Sequence, residues 1–375
     1  MKKLVLIMIA LSLVGCSQPQ ETKQEESKQT VKCTFVGDTL YEEPYYKWIG
    51  NAQEDKGYYD SIQSYFQNDD LSIANLEVPI GGKELGISGS GYSFNTSYDI
   101  GNQLASLGLE VVSTANNRAY DRKDKGVDHT LDFLRQKDIL GVGTYYNQQD
   151  RDAGKYKTIN GIKFGFISYT YDTNQAISQQ SLEKVAVFLD NQRNFTQEYK
   201  DLLTKEVSQT RKNCDVLIAM MHWGNEFTYH VTDQQREVSQ LLSDLGVHII
   251  IGNHSHCPQP IEYIGNTLCM YSLGNFISAD PYVNRATNEF KNAYNLSFMI
   301  QLDIIKDKDQ ISVHNIQCTP IINYYDKNIE NFKLVPYQQY TQDLETSHYH
   351  YQDGLTKEWI TKTTHKLVPD NITIN

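Results

Sequence analysis

The stretch Val247-His248-Ile249-Ile250-Ile251-Gly252-Asn253-His254-Ser255-His256, continuing to Tyr271-Ser272-Leu273-Gly274-Asn275-Phe276, decides how the chain is read. Apart from His248 its first five residues are β-branched, which suits a buried parallel strand, and Gly252 lets the backbone turn sharply where that strand ends. His254 and His256 follow at once. In an extended segment residues i and i+2 point to the same side, so the spacing predicts two imidazoles facing one point in a crevice. Such a pair suits metal ions or phosphate oxygens, and it equally suits two hydrogen-bonded loop histidines. A hairpin is expected between the two halves of the stretch.

Outward from it, short β-type runs alternate with helical ones, the pattern of an α/β fold. Upstream, a helix at 233–245 follows a strand at 215–221 that ends in His222-Trp223-Gly224-Asn225-Glu226. An amphipathic helix is expected at 195–211. Asn160-Gly161 is a strong hairpin-turn signal between strands at 156–159 and 162–169. Helices at 126–137 and 100–107 flank a strand at 111–114 that ends in Ala115-Asn116-Asn117-Arg118. A strand at 71–74 ends in Asn75-Leu76-Glu77, a helix is expected at 58–66, and a strand at 31–36 ends in Gly37-Asp38. Downstream, 296–304 and 311–318 read as strands, and the polar, tyrosine-rich region beyond Tyr324 has no clear pattern.

Asp38, Glu77, Asn116 with Asn117, His222 with Glu226, and His254 with His256 thus each follow directly on an apolar strand. In a sheet whose strands run the same way, these carboxyl ends share the edge where open α/β sheets bind ligands. Two carboxylates, an amide oxygen and three imidazoles form a donor set suited to Mn, Zn or Fe, and two-metal sites of this kind activate water against phosphate esters. The bland alternatives are Asp38 as a helix cap, Asn116 and Asn117 as turn residues, Trp223 as core and Glu226 as a prop for His222. His248 is expected to be a satisfied core histidine, and His348-Tyr349-His350 to face solvent. The glycines at 81, 82, 86, 89 and 91 form no phosphate-binding loop, because no Gly-Lys-Ser/Thr follows them.

With 375 residues, 39% of them apolar and 11% aromatic, the chain is long enough for a large folded core. A formal charge of -12 and the lack of a long basic run exclude a general nucleic-acid binder. Lys2-Lys3, an apolar run at 4–13 and Leu13-Val14-Gly15-Cys16 match a bacterial lipoprotein signal, with residues 1–15 removed and Cys16 acylated by palmitate-type chains. The apolar run is too short to span a bilayer, so the mature protein is expected at the outer face of the cytoplasmic membrane, held by lipid. The lipidated Cys16 opens a tether over 16–30, whose residues 17–30 contain no apolar side chain, and folded structure is expected from about Val31. Lipidation of Cys16 leaves Cys33, Cys214, Cys257, Cys269 and Cys318, an odd number that predicts no disulfide framework.

Taken together, Phe35-Val36-Gly37-Asp38, Asn75-Leu76-Glu77, Ala115-Asn116-Asn117, Asp121, His222-Trp223-Gly224-Asn225-Glu226, Gly252-Asn253-His254-Ser255-His256 and Tyr271-Ser272-Leu273-Gly274-Asn275-Phe276 resemble the CapA family of poly-γ-glutamate capsule synthesis proteins. That family is related in fold to calcineurin-like metallophosphoesterases. The resemblance covers 31–322 and leaves 323–375 as a C-terminal extension. It implies a four-layer αββα sandwich and a membrane-anchored role in making, exporting or anchoring a surface polymer. The implied partners are that anionic polymer or its synthesis and export machinery. By analogy the metal positions are Asp38, Glu77, Asn117, His222, His254 and His256, supported by Asn116, Glu226, Asn253 and Asn275, with Arg118 and Asp121 at the reacting end. The family reads Ala-Asn-Asn-His where this chain has Arg118, and Ser255 stands where the family has proline. A guanidinium, with a pKa above about 12, cannot shuttle protons at neutral pH but can hold an anionic oxygen bidentately. Two alternatives stay open: a metal-dependent phosphoesterase-like hydrolase, and a non-catalytic surface binding protein.

Overall fold

The computed structural model describes residues 28–50, 56–91, 93–283 and 287–375. The signal peptide, Cys16 and all but the last residues of the tether lie outside the described residues. The first strand, β1 at Gln29–Thr39, starts slightly before the Val31 that the composition predicts. From there the apolar runs become strands of two sheets. β1, β2 (Leu71–Leu76), β3 (Val111–Ser113) and β4 (Leu140–Val142) are parallel neighbours in the first sheet. The chain crosses to a second sheet of β5 (Lys155–Ile159), β6 (Ile162–Thr170), β7 (Val216–His222), β8 (Ile249–Asn253), β9 (Ile261–Ile264) and β10 (Thr267–Met270), in the order β5-β6-β7-β8-β10-β9. It returns to the first sheet through β11 (Asn275–Ile277), β12 (Leu296–Asp307), β13 (Gln310–Tyr324), β14 (Lys333–Pro336) and β15 (Thr373–Ile374). There β12 pairs antiparallel with β1, and β11 lies parallel to the carboxyl end of β1.

The alternation of side chains along each strand explains the layering. Phe35 and Ile73 of the first sheet meet Phe166, Ile218, Met220 and Ile251 of the second in a core between the sheets. The outward-facing Val36, Ala74 and Val112 are covered by α1 (Glu43–Ile49), α2 (Gln63–Gln67), α3 (Tyr98–Ala105) and α4 (Lys123–Gln136), which contribute Ile49, Phe66, Leu104 and Leu134. On the other side Leu217, Ala219, Met221 and Ile250 meet Leu203 and Val207 of α6 (Gln197–Arg211) and Val238 and Leu242 of α7 (Asp233–Asp244); the short α5 (Gln148–Asp152) precedes them in the chain. Helices, sheet, sheet and helices make the four-layer αββα sandwich. Strands buried on both faces account for the near-continuous apolar runs in the sequence.

Several expectations need correction. The polar strand ends do not lie along one sheet: Asp38, Glu77 and Asn116–Asn117 follow β1, β2 and β3, whereas His222 and His254 belong to β7 and the segment after β8, so the site forms between two sheets. The helix expected over 58–66 is mostly turn, with only α2 helical, and β4, three residues centred on Gly141, carries no strand pattern in the sequence. α8 (Asn288–Tyr294) precedes β12, and the region beyond Tyr324 is folded as well: α9 (Gln342–Ser347) and α10 (Lys357–Leu367) precede β15, and Leu355, Ile360, Leu367 and Ile372 enter the core between the sheets. His348 and His350 are buried, not solvent-facing. His348 accepts the backbone N–H of His350 at 3.0 Å and its other ring nitrogen lies 3.0 Å from the Asn323 carbonyl, which satisfies that ring, while His350 Nδ1 lies 2.8 Å from Asp353 Oδ2.

His248 is partly buried and its Nδ1 accepts from the Leu217 N–H at 3.1 Å, as a satisfied histidine should. Cys33, Cys214, Cys257, Cys269 and Cys318 are all free thiols. Among the described residues no helix is long and apolar enough to cross a membrane. Two glycines are fixed by close approach of backbone. A Cβ at Gly37 would lie 1.9 Å from the Gly274 carbonyl oxygen, and one at Gly252 would lie 2.0 Å from that of Tyr271. Both lie near the carboxyl ends of the strands that deliver site residues, Gly37 in β1 and Gly252 in β8, so the glycines set where Asp38 and His254 emerge.

Candidate functional site

Parallel register places the first donors. β1 and β2 align Asp38 with Asn75, and the Asn75 side-chain amide donates to Asp38 Oδ1 at 2.6 Å. The same amide lies 3.3 Å from His222 Nδ1, which crosses from the second sheet. Glu77 follows two residues on, and ligand atoms of Asp38, Glu77 and His222 all lie within 4.8 Å of one another. These three side chains are buried. Asn117 Oδ1 lies 3.2 Å from His222 Nε2. Asn116 does not reach the cluster itself: it donates to Asn75 Oδ1 at 3.3 Å and the Leu76 carbonyl at 2.8 Å, and accepts from the Arg118 N–H at 3.2 Å.

His254 and His256 arrive by a different geometry from the extended one predicted. Both have positive φ, 95° and 53°, an uncommon conformation for residues with a side chain. The chain is held there by its surroundings: the His254 N–H donates to Asp38 Oδ2 at 3.2 Å, and His256 Nδ1 lies 2.9 Å from Asn275 Oδ1. The imidazoles still meet, with ring centroids 4.7 Å apart for His222 and His254 and 6.1 Å for His254 and His256. His256 Nε2 lies 3.9 Å from Glu77 Oε1 and 4.0 Å from Glu226 Oε1. Glu226 therefore faces His256 rather than propping His222. Asn253 pairs in register with His222 through the backbone, and its buried Oδ1 has no hydrogen-bond partner.

Arg118 enters the same space. Its guanidinium stacks on Phe94 at 3.6 Å, Nε lies 3.6 Å from Glu77 Oε1, and Nη1 lies 3.8 Å from Asp121 Oδ2 and donates to the Gly91 carbonyl at 3.3 Å. Asp121 Oδ2 also accepts the Phe94 N–H at 2.7 Å, and burial pushes its carboxyl up to about 6.

The electrostatics are those of a buried acidic site that Arg118 compensates only in part. Burial holds Asp38 above the ordinary carboxylate range, opposed by His256, Asn75 and the His254 N–H. Glu77 is raised well above its ordinary value by burial and then by Asp38, and neither of its oxygens has a hydrogen-bond partner. Burial and neighbouring imidazoles push His222 and His254 well below theirs, and His254 Nδ1 is likewise unpartnered. Buried polar atoms are rarely left unpaired, and an unpaired carboxylate is costlier still. Neutral imidazoles are the form that binds a metal, and a bound cation would favour the ionised form of the two raised carboxyls. The residues present fit a divalent cation.

Above the cluster opens a cavity of about 880 Å³ whose walls include Asn117, Arg118, Tyr171, Arg193, His254 and His256. Asp38, Glu77 and His222 lie beneath, in contact with Arg118, Asn117 and His254. Most of this constellation falls within one matched region: the profile described as "Bacterial capsule synthesis protein PGA_cap" matches residues 32–280, well over half of the chain. The chain belongs to this bacterial capsule synthesis protein family. Among relatives, the PGA biosynthesis protein CapA of Bacillus subtilis (strain 168) is 26% identical over 279 residues, covering 72% of this chain and 69% of its own. The capsule biosynthesis protein CapA of Bacillus anthracis is 24% identical over 286 residues, covering 73% and 67%. The family match takes in every donor named above, from Asp38 to Asn275.

Sequence reasoning missed three members of the site in this family chain. Asn75, quoted as part of a motif, joins Asp38 to His222, and its strand-end position beside Glu77 was the available signal. Tyr171 packs its ring 4.5 Å from that of His254. Glu42 is buried in the cavity wall, accepting from the Tyr294 hydroxyl at 2.6 Å and the Ala279 N–H at 2.7 Å. Neither Tyr171 nor Glu42 carries a sequence signal, because loops bring them in.

Proposed function

We propose that this chain is a lipid-anchored protein of the outer face of the cytoplasmic membrane that acts with the machinery making, exporting or anchoring a poly-γ-glutamate-type surface polymer. The observation that carries the reading is the family match across 32–280, which spans the buried donor cluster. The names of the two Bacillus relatives support the polymer, and the Leu13-Val14-Gly15-Cys16 motif supports the anchor. A formal charge of -12 repels an anionic chain at long range, so polymer contact has to rest on local positive charge in the crevice, from Arg118, Arg193 or a bound cation. The test is deletion and complementation. Surface polymer should be lost on deletion and restored by wild type but not by the His254→Ala/His256→Ala variant. Unchanged polymer in the deletion strain contradicts the proposal, and polymer restored by Cys16→Ser at full level contradicts the anchor.

A second reading, metal-dependent hydrolysis of an anionic ester or polymer bond, is favoured by the two unpartnered oxygens of buried Glu77 beside Asp38 and His222. These three residues would hold a divalent ion, with Asn117, His254 and His256 close by. Such an ion supplies Lewis acidity and lowers the pKa of water. In this reading Asn75 orients Asp38, Asn275 orients His256, and Arg118, fixed on Phe94, binds an anionic oxygen of the substrate without moving a proton. Purified protein assayed on bis(p-nitrophenyl) phosphate with Mn²⁺, Zn²⁺ or Fe²⁺ should turn over. No turnover with any of them removes phosphodiester hydrolysis from the account.

A further inference from the structure

We infer that the site takes a single divalent cation per chain, bound by Asp38, Glu77 and His222, and that the Arg118 guanidinium serves as its second positive charge. This rests on the metal-binding reading above and deepens it.

Three donors, two oxygens and one nitrogen, lie within 4.8 Å of one another. That is enough for one ion of the open, three-ligand kind, which keeps a position for a ligand from the cavity. Glu77 Oε1 lies 3.9 Å from both His222 Nε2 and His256 Nε2, so a second ion on the His256 side would share it. In two-metal sites the ions sit about 3.5–4 Å apart, bridged by common oxygens. Here Arg118 Nε already lies 3.6 Å from Glu77 Oε1. A second divalent ion on that oxygen would face a fixed guanidinium at close range.

The guanidinium does not swing away freely. Its side chain is only 12% exposed, stacked on Phe94 at 3.6 Å, bonded to the Gly91 carbonyl and flanked by Asp121. At 3.6 Å its approach to Glu77 is too long for a hydrogen bond, and both Arg118 Nε and the Glu77 oxygens remain unpartnered. The pair is a charge contact that leaves Glu77's lone pairs free for an ion.

Charge balance agrees. With Asp38 and Glu77 ionised and the imidazoles neutral, one divalent ion and Arg118 bring the cluster to a formal +1. Two divalent ions with Arg118 bring it to +3, inside a buried site where charges interact strongly. Arg118 thus already places one positive charge beside Glu77, and a second divalent ion would add two more to it. Arg118 lines the cavity that an anionic substrate would enter.

The experiment uses the mature chain stripped with EDTA. Mn²⁺ is titrated by calorimetry, and bound metal is counted by mass spectrometry after gel filtration. Wild type and Arg118→Lys should bind one Mn²⁺ per chain. Arg118→Met should bind the first ion at least tenfold more tightly and take up a second, with thermal unfolding of the apo proteins showing that each variant is folded. Two ions in wild type overturn the inference while leaving the metal site intact. An unchanged stoichiometry and affinity in Arg118→Met also overturns it. No ion in any protein overturns both this inference and the reading beneath it.

Discussion

Replacing Glu42 by glutamine tests the electrostatics of the cavity wall directly. Glu42 is 6% exposed, and burial, with Asp280 adding to it, pushes its carboxyl from an ordinary 4.5 up to about 8. The sign follows from linkage. Between those two values the native protein holds a proton that the unfolded chain has lost, so stability falls as pH rises through the window and levels off above it. At about 1.4 kcal/mol per unit, the full window corresponds to about 5 kcal/mol. The geometry suits the neutral form. A protonated Oε1 can donate to the Tyr294 oxygen at 2.6 Å while Oε2 accepts from the Ala279 N–H at 2.7 Å. Glutamine reproduces both bonds with its NH₂ and its carbonyl oxygen. Glu42→Gln should therefore match wild type within about 1 kcal/mol at pH 5 and exceed it by several kcal/mol at pH 8.5. The assay is urea unfolding in EDTA, followed by tryptophan fluorescence, at half-unit steps of pH. A stability gap that stays constant across that range refutes the reasoning, as does a variant weaker than wild type at pH 8.5.

Gly252→Ala would place a methyl group 2.0 Å from the Tyr271 carbonyl oxygen, so it should cost several kcal/mol and lower the melting temperature clearly in a thermal scan. Asn275→Ala removes the 2.9 Å partner of His256 Nδ1, and because His256 lies outside the three ion-binding donors Mn²⁺ affinity in calorimetry should change by less than about tenfold, whereas His222→Ala should lose more than that. Truncation after Tyr340 takes Leu355, Ile360 and Leu367 out of the core between the sheets, and the product should partition into the insoluble fraction while the full chain remains soluble.

Asp38, Glu77, His222, His254 and His256 were legible in the sequence because each stands where a long apolar run stops, and a buried strand can only present such residues at its end. The layers were legible for a related reason, since strands covered on both faces read as unbroken apolar runs. What joins the donors was not legible. The Asp38–Asn75 bond depends on a register between strands separated by a helix-containing crossover, and the approach of β7 to β2 depends on how two sheets stack. The extended geometry inferred for the histidine pair failed because the backbone there turns through positive φ, which the neighbours impose and the residue types do not announce. In the C-terminal region the core is filled by tyrosine, threonine and histidine as well as by Ile360 and Leu367, so a polar composition hid an interior. His348 and His350 looked like surface residues for that reason.

The central claim is that Asp38, Glu77 and His222 form a binding site for one divalent ion beside a built-in guanidinium. The most direct measurement is anomalous diffraction at the manganese edge from crystals of the mature protein grown with Mn²⁺. The account predicts one peak per chain, within coordination distance of those three side chains, with Arg118 still stacked on Phe94. Two peaks bridged by Glu77, or no peak among these residues in a well-ordered crystal, would contradict it.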